Sequence, residues 1–306
     1  MNRIQEEMTG PEQTEEQRSP SSVGERARER LLARLPVAER RLRLAGISTA
    51  VLEGGDGPPV LLLHGPGEYA AKWMRVIPAL VESHRVIAPD LPGHGTSDVA
   101  DGPVDADRVL AWLGQLVERT CPAPPALVGQ ILGGAIAARF ACDRGDRLGR
   151  LILVDALGLG PFQPTPEFGR ALTDFVAQPT EETHDRLWRR CAFDLDGLRD
   201  RMGESWAWLK TYNLDRARVP GLRLAQRNLM EAFGMPEIAP AELARITVPT
   251  TLIWGRHDLA TPLPIAEAAS ARYGWPLQVI ENAADDPPLE RPEAFLNALR
   301  VALGSG

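Results

Sequence analysis

Six short apolar runs constrain what this chain can fold into more than any other feature. Val60-Leu61-Leu62-Leu63 is continuous and stops at His64-Gly65, and similar runs recur at 85–88, 126–128, 151–154, 250–254 and 277–280. A run this short, with no polar alternation, suits a strand covered on both faces, as in a mainly parallel sheet. Segments of helical periodicity at 72–82, 104–120 and 133–143 lie between the runs. Parallel strands need crossovers and helices supply them, so the alternation predicts an α/β fold with a doubly wound, mostly parallel sheet.

The rhythm has two exceptions. Upstream, 41–52 reads as strand, turn and strand about Ala45-Gly46, preceded by an amphipathic helix at 24–39. Residues 1–22 are rich in Glu, Gln, Ser and Pro, which predicts disorder. From 158 to 240 no strand run occurs, but helix-like segments carry Trp188, Trp206, Trp208, Tyr212 and Phe233. The predicted organisation is an N-terminal extension at 1–40, a core built from 41–157 and 241–306, and a helical lid inserted at 158–240.

Composition excludes several classes. A net charge of -7 argues against nucleic acid as a partner, because phosphate binding needs clustered cations. No apolar run is long enough to span a bilayer, and the polar N-terminus lacks the apolar stretch of a signal peptide. Three cysteines without metal-ligand spacing fit a reducing cytoplasm and no structural metal.

Five local sequences, in order, add a resemblance. Leu61-Leu62-Leu63-His64-Gly65-Pro66-Gly67 is similar to the strand and loop that begin the oxyanion hole of α/β-hydrolases. The stretch from Val86 to Asp98, with Pro92-Gly93-His94-Gly95, resembles the family's next strand and loop. Gly129-Gln130-Ile131-Leu132-Gly133 resembles the nucleophile elbow, a sharp strand-to-helix turn whose glycines make room. Trp254-Gly255-Arg256-His257-Asp258 resembles the strand end presenting the acid, and Leu289-Glu290-Arg291-Pro292 the segment beyond the catalytic histidine. The resemblance is to the α/β-hydrolase superfamily, in its lid-bearing, epoxide-hydrolase- and C–C-hydrolase-like branch. It implies a pocket lined by Gly65, Pro66, Gln130, Ile131, Leu132 and, from the lid, Trp206.

The chain departs from the pattern at three places. Ile131 stands where the resemblance implies a nucleophile, and its side chain has no atom that can attack a carbonyl. Asp285, or Asp286 with a shift of one residue, stands where it implies histidine. Pro66 lacks the N–H that would serve an oxyanion. Losing a serine–histidine pair removes a rate factor of about 10⁶, so the sequence predicts that serine hydrolase activity is absent. Asp258 remains as the acid. Facing Asp285 across a partly dry site, it would form a pair that shares a proton and serves as acid and base. The expected function is therefore a non-hydrolytic, cofactor-independent cyclase, isomerase or lyase. Asp258 and Asp285 would move protons on a hydrophobic small molecule of natural-product type. A non-catalytic binding protein or scaffold is the alternative, and an atypical hydrolase a remainder.

Overall fold

The structure is a computed structural model that describes residues 22–99 and 104–304. The segment expected to be disordered falls, but for Ser22, outside the described residues. Eight strands form one sheet: β1 (Ala38–Leu44), β2 (Ile47–Gly54), β3 (Pro59–Leu63), β4 (Arg85–Pro89), β5 (Ala126–Gln130), β6 (Arg150–Val154), β7 (Thr250–Gly255) and β8 (Leu277–Ile280). Their order is β1-β2-β4-β3-β5-β6-β7-β8, with β2 antiparallel to both its neighbours and every other pair parallel.

Successive residues of a strand face opposite sides of the sheet. Accordingly Leu61, Leu127, Leu151 and Leu252 join one buried cluster, while Val60, Val128, Ile152 and Ile253 join the other. Both faces are covered, which is why these runs read as continuously apolar. The hairpin Ala45-Gly46 has φ of 46° and 78°. Two positive φ values in a two-residue connection match the twist of the strands it joins.

The helices are α1 (Val23–Leu32), α2 (Ile77–Leu80), α3 (Ala106–Thr120), α4 (Leu132–Arg144), α5 (Pro166–Ala177), α6 (Glu181–Cys191), α7 (Leu195–Met202), α8 (Glu204–Ala217), α9 (Pro220–Leu229), α10 (Pro240–Leu243), α11 (Leu263–Tyr273), α12 (Pro287–Glu290) and α13 (Pro292–Leu303). Residues 158–240 hold α5 to α9, a π turn at Met230–Gly234 and the first residue of α10, with no named strand.

Two sequence expectations need correction. The helix expected over 24–39 ends at Leu32, and strand β1 begins at Ala38. The helix expected over 72–82 is a 3-10 turn, Ala70–Arg75, followed by the short α2. Pro78 explains the interruption, since it has no N–H to continue a helical ladder.

Candidate active site

β5 delivers the chain into α4 through Ile131, which has φ 48° and ψ -104°. A β-branched residue rarely adopts positive φ. Three hydrogen bonds hold it there: Ile131 N–H donates to Val154 O (2.9 Å), and Ile131 O accepts from Leu157 and Ala135 N–H (both 3.1 Å). The elbow also needs its glycines. A Cβ on Gly129 would lie 2.4 Å from Gly133 O, and one on Gly133 would lie 2.5 Å from Leu63 O. The sharp turn is therefore intact, presenting an aliphatic side chain that is 8% exposed.

Ile131 lines a cavity of about 750 Å³ between the sheet and helices α5, α6, α8 and α9. That volume suits a small-molecule ligand. Among the sequence-predicted residues, Pro66, Ile131 and Asp285 line it, whereas Gly65, Gln130, Leu132, Asp258 and Trp206 do not. Gln130 stands behind the wall and donates from Nε2 to Asp285 O (3.0 Å) and Asp286 Oδ1 (3.2 Å). Gly65 N–H is already engaged by Glu68 Oε2 at 2.8 Å. Trp206 packs edge-on against Trp188, and it is Trp188 that reaches the cavity.

Asp285 and Asp286 are both buried, and both open on the cavity. The choice between them at the histidine position thus does not separate them: the site holds both. Burial, with Asp258 and Asp286 nearby, pushes the Asp285 carboxyl well above the usual carboxylate range, and Lys72 only partly opposes this. The Cys191 thiol, also on the cavity wall, bonds to Asp285 and is itself raised by burial and that carboxyl. Burial raises Asp286 as well, but Lys72 counters more directly. The Lys72 ammonium lies 2.5 Å from Asp286 Oδ2, also pairs with Glu68, and sits 4.8 Å from the centre of the Trp188 ring. It is only 3% exposed, and the two carboxylates keep it protonated despite burial.

Asp258 accepts from Ala260 N–H (2.6 Å), Thr261 N–H (3.0 Å) and the Thr261 hydroxyl. Burial raises it to about 6 against these bonds and one from Asp155. Asp155, the residue after β6, has φ 43° and accepts from Gly255 N–H at 2.8 Å. Burial and Asp258 push it well above the usual range, so it holds a proton that it can donate to Asp258. Neither Arg256 nor Arg291 neutralises this group: Arg256 pairs with Glu281, and Arg291 donates to Asn282 O.

Sequence reasoning missed Asp155, Lys72 and Glu68. Asp155 carried a signal, since it closes an apolar run as Asp258 does; the other two carried none. His64 is structural: fully buried, it donates from Nδ1 to Gly65 O (2.8 Å) and accepts at Nε2 from Leu91 N–H (3.0 Å). Burial lowers it to about 3. His184 lines the cavity, and burial lowers it to about 4. Among the described residues no group of three or more His, Cys, Asp or Glu is arranged to hold a metal, and no helix is long and apolar enough to cross a membrane.

Comparison with known proteins places this geometry. The alpha/beta hydrolase family matches residues 60–298. A 2-hydroxy-6-oxo-6-phenylhexa-2,4-dienoate hydrolase of Comamonas testosteroni is 31% identical over 69% of this chain and 75% of its own. A pimeloyl-[acyl-carrier protein] methyl ester esterase of Aeromonas hydrophila subsp. hydrophila is 28% identical over 84% of this chain and all of its own. Among solved structures, the 2-hydroxy-6-oxo-6-phenylhexa-2,4-dienoate hydrolase of Rhodococcus sp. strain RHA1 superposes with a TM-score of 0.76. It is 25% identical, over 87% of this chain and 98% of that one.

These findings overturn the functional expectation. The relatives are named as hydrolases and esterases, so the non-hydrolytic cyclase, isomerase or lyase reading falls, and with it the expectation that serine hydrolase activity is absent. Reasoning from the departures at Ile131, Asp285 and Pro66 equated loss of the serine–histidine pair with loss of the reaction, although a carbonyl can also be attacked by water. With the sheet order, the elbow and a match over most of its length all agreeing, the chain belongs to the alpha/beta hydrolase family, in the branch similar to the C–C hydrolases.

Proposed function

We propose that this protein hydrolyses a carbonyl compound with an apolar body, such as an ester, by direct attack of water held between Asp285 and Asp286. The observation carrying this reading is that these adjacent, buried carboxyls both open on the cavity while Lys72 pairs with Asp286. Two close carboxyls in a dry site share one proton, and the ionised member is a base while the protonated one is an acid. Lys72 favours Asp286 as the carboxylate, and the environment of Asp285 favours its keeping the proton.

The step balances. Asp286 takes a proton from water as its oxygen bonds to the carbonyl carbon, and Asp285 protonates the carbonyl oxygen, giving a tetrahedral diol. On collapse the C–O bond to the leaving group breaks, Asp286 returns its proton to the departing oxygen, and a diol hydroxyl returns its proton to Asp285. Leu132 N–H opens α4 and has no intrahelical acceptor. In this scheme Asp258 stays near Asp285 and keeps its proton affinity high. Ile131 forms the apolar wall at the reacting carbon.

4-Nitrophenyl esters of graded chain length test the proposal. Wild-type protein should exceed the buffer rate, and Asp285→Asn and Asp286→Asn should each lower kcat by about 10²–10⁴-fold, the usual range for an acid or base. Melting curves establish that each variant is folded. No excess over buffer across the series, or turnover unchanged in both folded variants, rules the proposal out.

A further inference from the structure

We propose that α1 is a strap that holds the lid helix α8 over the cavity, so that α1 lifting off α8 opens a way in for the ligand. The proposal goes beyond the hydrolytic reading and concerns any occupant of the cavity. Asn213, Arg216 and Ala217 put one side of α8 on the cavity wall. Its other side, with Trp206, Leu209 and Tyr212, is buried in the same apolar cluster as Ala27 and Leu31 of α1. Tyr212 also meets Tyr69 edge-on, with ring centres 4.4 Å apart, on the loop that carries Pro66 and Glu68.

α1 follows α8 along its length. Near the C-terminal end of α8, a Cβ on Gly24 would lie 2.4 Å from Asp215 Cβ, so the helices approach where α1 has no side chain. Ser22, the N-cap of α1, donates from Oγ to Asp215 Oδ2 at 3.4 Å. At the N-terminal end of α8, Arg34, just beyond α1, pairs with Glu204 at 2.9 Å and donates to Ser205 Oγ at 3.3 Å. Its guanidinium lies 4.2 Å from the centre of the Trp208 ring.

Among the described residues, the other side-chain hydrogen bonds and ion pairs that α8 makes outside itself go to α6. Lys210 pairs with Glu181 at 2.8 Å, and Asn213 meets His184 at 3.5 Å. α6 is part of the lid as well, so the polar ties from α8 to the rest of the molecule run through α1. From there Arg28 carries them on to Glu39 of β1 and to Asp90, the residue after β4. α8 can also move as a rod. It begins after Gly203, whose φ is +54° and where a Cβ would meet nothing within 4 Å. It is followed by Pro220-Gly221, where a Cβ on Gly221 would be equally free. Hinges are residues of this kind at the ends of elements. With α1 in place the rod is held at both ends; with α1 lifted, packing on α6, α9 and Tyr69 remains.

Hydrogen exchange and the entry of a probe test the strap in the full chain. Gly24→Leu presses α1 away from Asp215. The amides of Leu209 to Leu214 should then exchange about tenfold or more faster than in wild type, the scale of an overpacked contact. Amides of β5 and β6 should keep their rates. Arg34→Ala, a milder change that leaves the buried side of α1 intact, should give about threefold, the scale of an exposed ion pair with a stacked ring. N-phenyl-1-naphthylamine, a neutral apolar fluorophore, should enter the cavity faster by the same factors in stopped flow, because entry follows the population of the open state. Unchanged exchange in α8, or α8 accelerating in step with the sheet, overturns the proposal. So does faster exchange without faster entry of the probe.

Discussion

Ile131 carries the strain of a nucleophile elbow without a nucleophile. A side chain held at positive φ costs about 1–3 kcal/mol, and three backbone hydrogen bonds impose it here. The identity of residue 131 was plain from the sequence; the partners around it were not. Lys72 meets Asp286 across more than two hundred residues, and Gln130 meets it across 156, so no local pattern announces either. The geometry also says what would convert the site. A serine needs an adjacent base, and Asp285 holds its proton too tightly to be one. Ile131→Ser should therefore remain unlabelled by a fluorophosphonate, whereas Ile131→Ser/Asp285→His should be labelled at residue 131. Mass spectrometry of the labelled peptide reads the outcome; equal labelling of both variants would show that Asp285 already serves as base.

At the scale of elements, two side chains join parts of the chain that periodicity could assign but not assemble. Glu290, on α12, accepts from Ala284 N–H and from Phe193 N–H, both at 2.7 Å. It thereby ties the segment between α6 and α7 to the loop that presents Asp285. Arg28, on α1, is buried between Glu39 and Asp90, the latter at 3.6 Å. Removing one member of a buried pair strands the other charge, which costs about 3–5 kcal/mol. Asp90 retains N–H donors from Ala70 and Thr96, so Arg28→Met should fall at the lower end, about 3 kcal/mol. The midpoint of urea unfolding checks it, and an unchanged midpoint would show that the Arg28 ion pairs add nothing to the stability of the fold. The amphipathic pattern of α1 was legible. Its docking depends on an arginine that reads in sequence as one more solvent-facing charge.

For the whole molecule, the buried titratable groups set how stability changes with pH. Burial raises Asp258 to about 6 and Glu290 to about 7, and pushes Asp155 and Asp285 well above the usual carboxylate range. In an unfolded chain carboxylates titrate near ~4. The folded state thus binds more protons than the unfolded one above that pH, and stability falls as pH rises through the folded values. Burial lowers His64 and His94 to about 3 and His184 to about 4, which works the other way up to the unfolded histidine value near ~6.5. Above that only the carboxylates contribute their slope, so the melting temperature should fall between about pH 6.5 and 8.5. Glu290→Gln should flatten the part near 7. A melting temperature that is level or rising across that window contradicts this account. By itself the sequence determined the doubly wound sheet, the order of its motifs and the residues at 131, 285 and 286, because burial on both faces of a strand and the room a sharp turn requires leave local traces. Only the tertiary structure decided what those residues do. Whether a carboxyl keeps its proton depends on how deeply it is buried and which charges lie within a few ångströms, and Asp155, Lys72 and Glu68 come to Asp285 and Asp286 from distant strands and loops.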